Sequence, residues 1–217
     1  ARATGARVHL CRLSSAAGVE LVRRAKAEGL AISADVSVQS LHLTDADIGY
    51  FNADMRLNPP LRQQADRAAL RRALADGTID ALVSDHNPVT DDAKNLPFAE
   101  AEPGASAVEL LLSLALKWGR DDGIDLPRVL ARVTSDPARV LGASLGALGA
   151  SAGRLVEGGV ADVCVFDPDV TWSVSRGVLV SQGKHTPFDF AATGTALPGR
   201  VRATVLAGGV SFRAAPL

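Results

Sequence analysis

The chain has 217 residues, of which 47% are hydrophobic and 22% are charged, and its formal net charge is −1 at pH 7. These proportions are typical of a folded domain and exclude an intrinsically disordered chain. Because 23 basic residues nearly balance 24 acidic ones and no basic block occurs, nucleic-acid binding is excluded as well. The longest strongly apolar run, residues 105–116, is shorter than the roughly 20 residues that cross a bilayer, and no leader segment is recognisable. We therefore expect a cytoplasmic protein that does not enter a membrane.

Short apolar runs alternate with amphipathic segments in the first two thirds of the chain, a pattern typical of βα units and a parallel sheet. The predicted strands cover residues 7–13, 31–38, 55–57 and 79–84. The predicted helices cover residues 16–28, 66–75, 105–118 and 126–133, and a short one opens at Asp136-Pro137 and ends at Gly142. Residues 41–51 are predicted to form a loop or short helices, with Thr44 as an N-cap.

The composition changes in the glycine-rich segment 144–153, where we place a domain boundary. Beyond it the pattern predicts only strands, over residues 161–166 and 170–174 and in a hairpin formed by 201–206 and 210–213. The sequence thus predicts one domain over residues 1–143 and a small β domain over 144–217. The two cysteines, Cys11 and Cys164, lie far apart, so we expect no disulfide and interpret both as buried apolar residues.

Active sites of (β/α) barrels lie at the carboxyl ends of the strands, so the residues after each predicted strand are the candidates. Among them only the segment that begins at Asp85 contains an obvious acid, base or metal ligand. A carboxylate in this position suits metal binding or proton transfer. A capping or turn aspartate explains the same sequence, and both interpretations remain open.

The segment Asn58-Pro59-Pro60-Leu61-Arg62 also follows a predicted strand. Its two prolines fix the backbone, so that the Asn58 amide could face an amide or imide ring, although a rigid connector fits equally well. His9 is predicted to be a buried structural residue on the strand face opposite Arg12. His42 and His185 show no chelating spacing and are interpreted as polar surface residues.

In this order the segments resemble those of dihydroorotase, a cyclic amidohydrolase of pyrimidine biosynthesis. Residues 58–62 look like the family's Asn-Pro-Pro-Leu-Arg, and residues 84–89 resemble its Thr-Asp-His-Ala-Pro-His. Pro97-Phe98, Pro103-Gly104 and Glu109 resemble the flap that follows in the family, and residues 181–188 are similar to its Ser-Lys-Gly-Lys-Asn-Thr-Pro-Phe. The resemblance covers almost the whole chain.

The resemblance implies an α/β fold, namely strands five to eight of a TIM barrel followed by a small β module. The family's first four strands, with a His-x-His pair of zinc ligands, have no counterpart here, so the chain reads as a fragment. Such a half barrel would expose two strand edges. We expect it to pair with a second copy, as a homo-oligomer, or with an N-terminal half.

The resemblance also identifies residues that depart from the family. Arg12 and Gln39 occupy positions where the family places metal-binding histidines, and Val89 replaces a histidine that contacts the substrate. The resemblance leaves Asp85 as a residual catalytic carboxylate and the only surviving candidate ligand. It implies that Asn58 and the Pro103-Gly104 backbone contact a dihydropyrimidine ring. We predict an ion pair between Arg12 and Asp85 in place of a metal.

Three functions follow from this resemblance. The first is a catalytically degenerate protein without a cofactor, acting as a structural partner of aspartate transcarbamoylase, as non-catalytic homologues do in some bacteria. The second is an active zinc-dependent dihydroorotase or a related cyclic-amide hydrolase. The third is a remnant that binds a dihydropyrimidine without hydrolysing it.

Overall fold

The computed structural model describes residues 1–189 and 196–214. Its first sheet is parallel and has the order β1 (Val8–Leu10), β2 (Ile32–Ser37), β3 (Ala81–Val83). His9 lies opposite Ser33 in the first strand pair. This arrangement confirms the α/β part of the predicted fold class.

The strand predicted at residues 55–57 is wrong. The segment instead forms a 3₁₀ turn, Ala53–Met55, and leaves three strands in the parallel sheet of the described residues. The turn forms because the Asn52 side chain accepts a hydrogen bond from the backbone N–H of Asp54 at 3.0 Å. This local cap competes with strand pairing, as asparagine side chains commonly do.

The helices are α1 (Ala16–Ala27), α2 (Val38–His42), α3 (Gln64–Asp76), α4 (Asp91–Lys94), α5 (Leu111–Asp122), α6 (Leu126–Ala131) and α7 (Ser135–Leu141). The five predicted helices are among them with shifted ends, whereas α2 and α4 were not predicted at these positions. Gly77 ends α3 with a φ of 86°, a conformation that favours glycine. Thr44 caps the 3₁₀ helix Asp45–Ile48 as predicted. Helix α5 starts later than expected because the residues directly before it form a 3₁₀ helix, Val108–Leu110. Upstream of that helix, the Ser106 N–H donates to the His185 carbonyl at 2.7 Å.

The helices cover one face of the parallel sheet. Ala34 and Val36 of β2 are fully buried there, and Val36 belongs to the same hydrophobic core as Leu70 and Leu114 of the covering helices. The opposite face carries His9, which the structure shows to be exposed. The prediction of a buried His9 is therefore wrong, because no described residue covers this face over β1.

The second sheet is antiparallel, with the order β4 (Val163–Ser173), β5 (Ala196–Leu206), β6 (Gly209–Arg213). The predicted hairpin is confirmed. The two strands predicted at 161–166 and 170–174 are one strand whose pairing is irregular between Asp167 and Thr171. The segment before this sheet is a 3₁₀ helix, Gly142–Ala150, and the domain boundary in this region stays a prediction.

The second sheet packs on helix α5. The Ser113 hydroxyl donates to the Gly199 carbonyl at 3.0 Å, and the Trp172 indole N–H donates to the same carbonyl at 3.0 Å. The hydrophobic core is shared between the two sheets, since it includes Leu197 of β5.

Both cysteines are exposed free thiols, so the prediction that they are buried is wrong. Cys11 follows β1, and Cys164 lies on β4. Within the described residues, every helix is too short or too polar to span a bilayer.

Candidate functional site

Three of the predicted site residues meet at the carboxyl ends of the parallel strands. Arg12, just after β1, donates from Nη1 to Asp85 Oδ1 at 3.1 Å and to the Asn58 carbonyl oxygen at 3.1 Å. The first of these contacts is an ion pair. The predicted pairing of Arg12 with Asp85 is therefore confirmed by the structure.

The backbone is strained at both ends of this ion pair. Arg12 has a φ of 59° and Asp85 a φ of 48°, in the left-handed region that residues other than glycine rarely adopt. Each strained residue of this kind costs on the order of 1–3 kcal/mol and is found most often at functional sites. These two residues carry the guanidinium and the carboxylate that meet at the sheet's edge.

Asp35 of β2 extends the cluster and was not predicted. Its Oδ1 accepts from the backbone N–H of Arg12 at 2.7 Å, and its Oδ2 lies 2.9 Å from His9 Nε2. His9 Nδ1 in turn lies 2.8 Å from the Ser33 hydroxyl. The signal in the sequence was the alternation of Ser33, Asp35 and Ser37 along an otherwise apolar strand, which puts three polar residues on one face.

Burial raises the pKa of Asp85 because desolvation disfavours a charged carboxylate. The Arg12 guanidinium opposes this effect and lowers the pKa, whereas the nearby Asp35 carboxylate adds to the increase. Arg12 is thus the group that favours the ionised form of Asp85.

Gln39 lies at the first turn of α2, where it is buried. Its Nε2 donates to the Ser84 carbonyl at 3.1 Å, and its Oε1 has no hydrogen-bond partner among the described residues. A neutral amide oxygen and a guanidinium, which has no lone pair to donate, do not form a zinc donor set. The residues at positions 12 and 39 therefore do not fit the metal that the resemblance implies.

The Pro103-Gly104 backbone is engaged within the protein. The Gly104 N–H donates to the Arg56 carbonyl at 3.0 Å, and the Pro103 carbonyl accepts from Asn87 Nδ2 at 3.1 Å. A Cβ at Gly104 would lie 2.5 Å from the Asn87 carbonyl oxygen and 2.8 Å from Val89 Cγ2. This close packing accounts for glycine at residue 104, and a contact between this backbone and a substrate ring stays a prediction.

The two histidines interpreted as surface residues both make contacts inside the protein, His185 as a buried residue and His42 as a half-buried one, so that interpretation is wrong. His185 is only 2% exposed. Its Nδ1 lies 2.7 Å from Asp54 Oδ1, and its Nε2 lies 2.8 Å from Asp91 Oδ1. Sequence reasoning missed this cluster because its members are separated by 131 and 94 positions.

His42 is the second of these histidines. Its Nε2 contacts the Leu114 carbonyl of α5 at 2.9 Å. Burial, reinforced by the Arg71 cation, lowers the pKa of His42 from 6.5 to about 3. The ring is therefore neutral at physiological pH and donates to the carbonyl from Nε2.

Comparison with known proteins gives consistent matches over nearly the whole chain. The profile of the amidohydrolase family matches residues 3–210. The chain is similar to a dihydroorotase-like protein of Pseudomonas aeruginosa, at 43% identity covering 94% of this chain and 46% of the relative. It is also similar to a dihydroorotase of Mycobacterium leprae, at 40% identity covering 98% of this chain and 48% of the relative.

Solved structures show the same fold. An L-hydantoinase (dihydropyrimidinase) from Arthrobacter aurescens has a TM-score of 0.84 at 27% identity, covering 96% of this chain and 45% of its own. A D-hydantoinase from Thermus sp. has a TM-score of 0.85 at 24% identity, covering 98% of this chain and 46% of its own. The chain spans about half the length of the relatives it matches.

Proposed function

The chain belongs to the amidohydrolase family and is dihydroorotase-like, and from this premise we propose that it has lost the zinc site. In this proposal the protein acts in pyrimidine biosynthesis as a non-catalytic structural partner of aspartate transcarbamoylase. We propose that the chain corresponds to the carboxyl-terminal half of the family's barrel, of which three strands form the parallel sheet among the described residues, together with the small β module.

The observation that supports this proposal is the position of the Arg12 guanidinium. It is held at the strand ends by Asp85 and by the Asn58 carbonyl, where the resemblance implies a metal-binding histidine. Arginine stays protonated at any physiological pH. A fixed positive charge at a ligand position weakens the binding of a divalent cation more than a missing ligand would, because the two cations repel each other.

The same contact engages the carboxylate to which the resemblance gives a catalytic role. Asp85 Oδ1 accepts a hydrogen bond from Arg12. The guanidinium favours the ionised form of Asp85 and so makes this carboxylate a weaker base. We propose that this ion pair takes over the structural role of the lost metal, joining the ends of β1 and β3.

Crystallographic and enzymatic measurements on the purified full-length protein test the loss of zinc. Anomalous data collected at the zinc edge should show no peak beside Arg12 and Gln39, and dihydroorotate should not be hydrolysed. A peak bridging those two side chains, or turnover, would support the active zinc-dependent hydrolase instead. The 40% identity to the M. leprae dihydroorotase is the reason to run this assay first.

The partner requires its own experiment, since it rests on the resemblance alone. Affinity purification of the tagged full-length protein from its own cells should recover aspartate transcarbamoylase in a fixed ratio. Recovery of the protein without the transcarbamoylase under gentle, low-salt conditions would contradict the proposed partnership.

A ligand-binding remnant remains a second candidate because the Asn58 residue is exposed beside the Arg12 cation. An amide and a guanidinium together could bind the ring and the carboxylate of a dihydropyrimidine. Titration calorimetry with dihydroorotate decides this: saturable binding that Asn58→Ala abolishes supports it, and the absence of heat excludes it.

A further inference from the structure

We propose a binding site for a zinc-class divalent cation formed by His9, Cys11 and Asp35, on positions different from those that the resemblance implies. One ligand atom from each residue lies within 4.8 Å of the other two. The inference goes beyond the proposed function, because the cation would bind whether or not the protein hydrolyses any substrate.

The sheet itself brings these side chains together. His9 and Cys11 are two residues apart along β1 and its extension, so their side chains point to the same face. Strand β2 runs parallel with His9 opposite Ser33, which places Asp35 beside Cys11 on that same face. On this face His9 and Cys11 are exposed among the described residues, and Asp35 is buried.

Two hydrogen bonds fix the orientation of the His9 and Asp35 side chains. His9 Nδ1 lies 2.8 Å from the Ser33 hydroxyl, and Asp35 Oδ1 accepts from the Arg12 backbone N–H at 2.7 Å. These contacts turn His9 Nε2 and Asp35 Oδ2 toward each other, 2.9 Å apart. Protein metal sites commonly have such outer hydrogen bonds, which fix the ring tautomer and the carboxylate rotamer.

The donor set selects the class of cation. One imidazole nitrogen, one thiolate and one carboxylate oxygen suit zinc, whereas calcium and magnesium prefer oxygen alone. Tetrahedral zinc would separate its N, O and S ligand atoms by about 3.3–3.6 Å, from bond lengths of about 2.0–2.3 Å. On binding zinc, the distance between His9 Nε2 and Asp35 Oδ2 therefore increases by a few tenths of an ångström. The Cys11 sulfur, which lies within 4.8 Å of both ligand atoms, moves closer to them.

Charge and protons balance at this site. The proton that bridges His9 Nε2 and Asp35 Oδ2 and the thiol proton of Cys11 leave to solvent, because a metal ligand must present a lone pair. The thiolate and the carboxylate then neutralise the two charges of the cation. The Arg12 guanidinium forms its ion pair with Asp85, after β3, and it is the backbone N–H of Arg12 that contacts Asp35.

Cobalt(II) absorption tests the site in the purified full-length protein, since a thiolate bound to Co²⁺ produces an intense charge-transfer band in the near ultraviolet. We expect a saturable band that Zn²⁺ displaces and that Cys11→Ser abolishes. Cys164→Ser is the matched control, because Cys164 is the other exposed thiol, and it should leave the band unchanged. No thiolate band, or a band that survives Cys11→Ser, overturns the proposal.

Alkylation of the unmodified protein provides a second measurement that does not depend on a variant folding. Zn²⁺ should slow the labelling of Cys11 by iodoacetamide at least tenfold and leave the rate at Cys164 unchanged, as read by mass spectrometry of the two peptides. Equal effects on both cysteines, or none on Cys11, would rule the site out.

Discussion

Replacing Arg12 by methionine removes the cation of the ion pair at the strand ends and keeps much of the side-chain volume. Two unit charges about 4 Å apart attract each other by about 4 kcal/mol at an effective dielectric constant of about 20, and by about 1 kcal/mol in water. The Arg12 side chain is 43% exposed and that of Asp85 is 19% exposed. Solvent screening therefore reduces the expected coupling to about 1 kcal/mol.

A double-mutant cycle measures this coupling. The free energy of unfolding is obtained from urea titrations of the parent, Arg12→Met, Asp85→Asn and the double variant at pH 7. A matched cycle on Arg120 and Asp169, a pair whose side chains are 47% and 91% exposed, should give a coupling near zero. If the Arg12–Asp85 coupling does not exceed that of this surface pair, the ion pair does not hold the strand ends together.

The pH dependence of the same variants has a defined sign. Because burial raises the pKa of Asp85 above 3.8, the folded state still holds a proton at pH values where the unfolded state has released it. The contribution of Asp85 to stability therefore falls as the pH rises through that interval. Asp85→Asn should remove this component, and Arg12→Met should extend it to higher pH because the pKa of Asp85 then rises further.

Three further predictions concern the packing around the site. Because the pKa of His42 is lowered from 6.5 to about 3, the unfolding free energy should fall by about 2 kcal/mol between pH 7 and pH 5, and His42→Asn should remove this dependence in urea titrations. Gly104→Ala should cost about 2 kcal/mol or more of unfolding free energy, from strain at a φ of 151° and from overpacking. Gly177→Ala, which meets no atom within 4 Å, should cost less than about 0.5 kcal/mol; equal costs would contradict the packing argument. His185→Asn should lower the unfolding free energy by about 2 kcal/mol and speed hydrogen exchange in α4. Asp91→Asn changes the exposed partner of the same contact and should lower the unfolding free energy by less than about 1 kcal/mol.

The sequence was sufficient for the features that local patterns determine. Alternating apolar runs predicted the βα units, and Gly77 marked a helix end. The contact between Arg12 and Asp85, which are 73 residues apart, was predicted from the family resemblance, with both residues placed at strand ends.

The errors concern residues whose surroundings are assembled from distant segments. His185 is buried because two aspartates from other parts of the chain bind both of its ring nitrogens, and no spacing within its own segment indicates this. Cys11 and His9 look like core residues in an apolar strand, yet they are exposed. A strand pattern predicts which residues share a face, but what covers that face depends on the rest of the fold.

The most direct test of the account is a ring-opening assay on the intact polypeptide, with zinc supplied and an active dihydroorotase run alongside. The account predicts no conversion of dihydroorotate above the uncatalysed background, because Arg12 and Gln39 cannot hold the metal that activates water. Measurable turnover that is lost on adding a chelator and restored by zinc would contradict it.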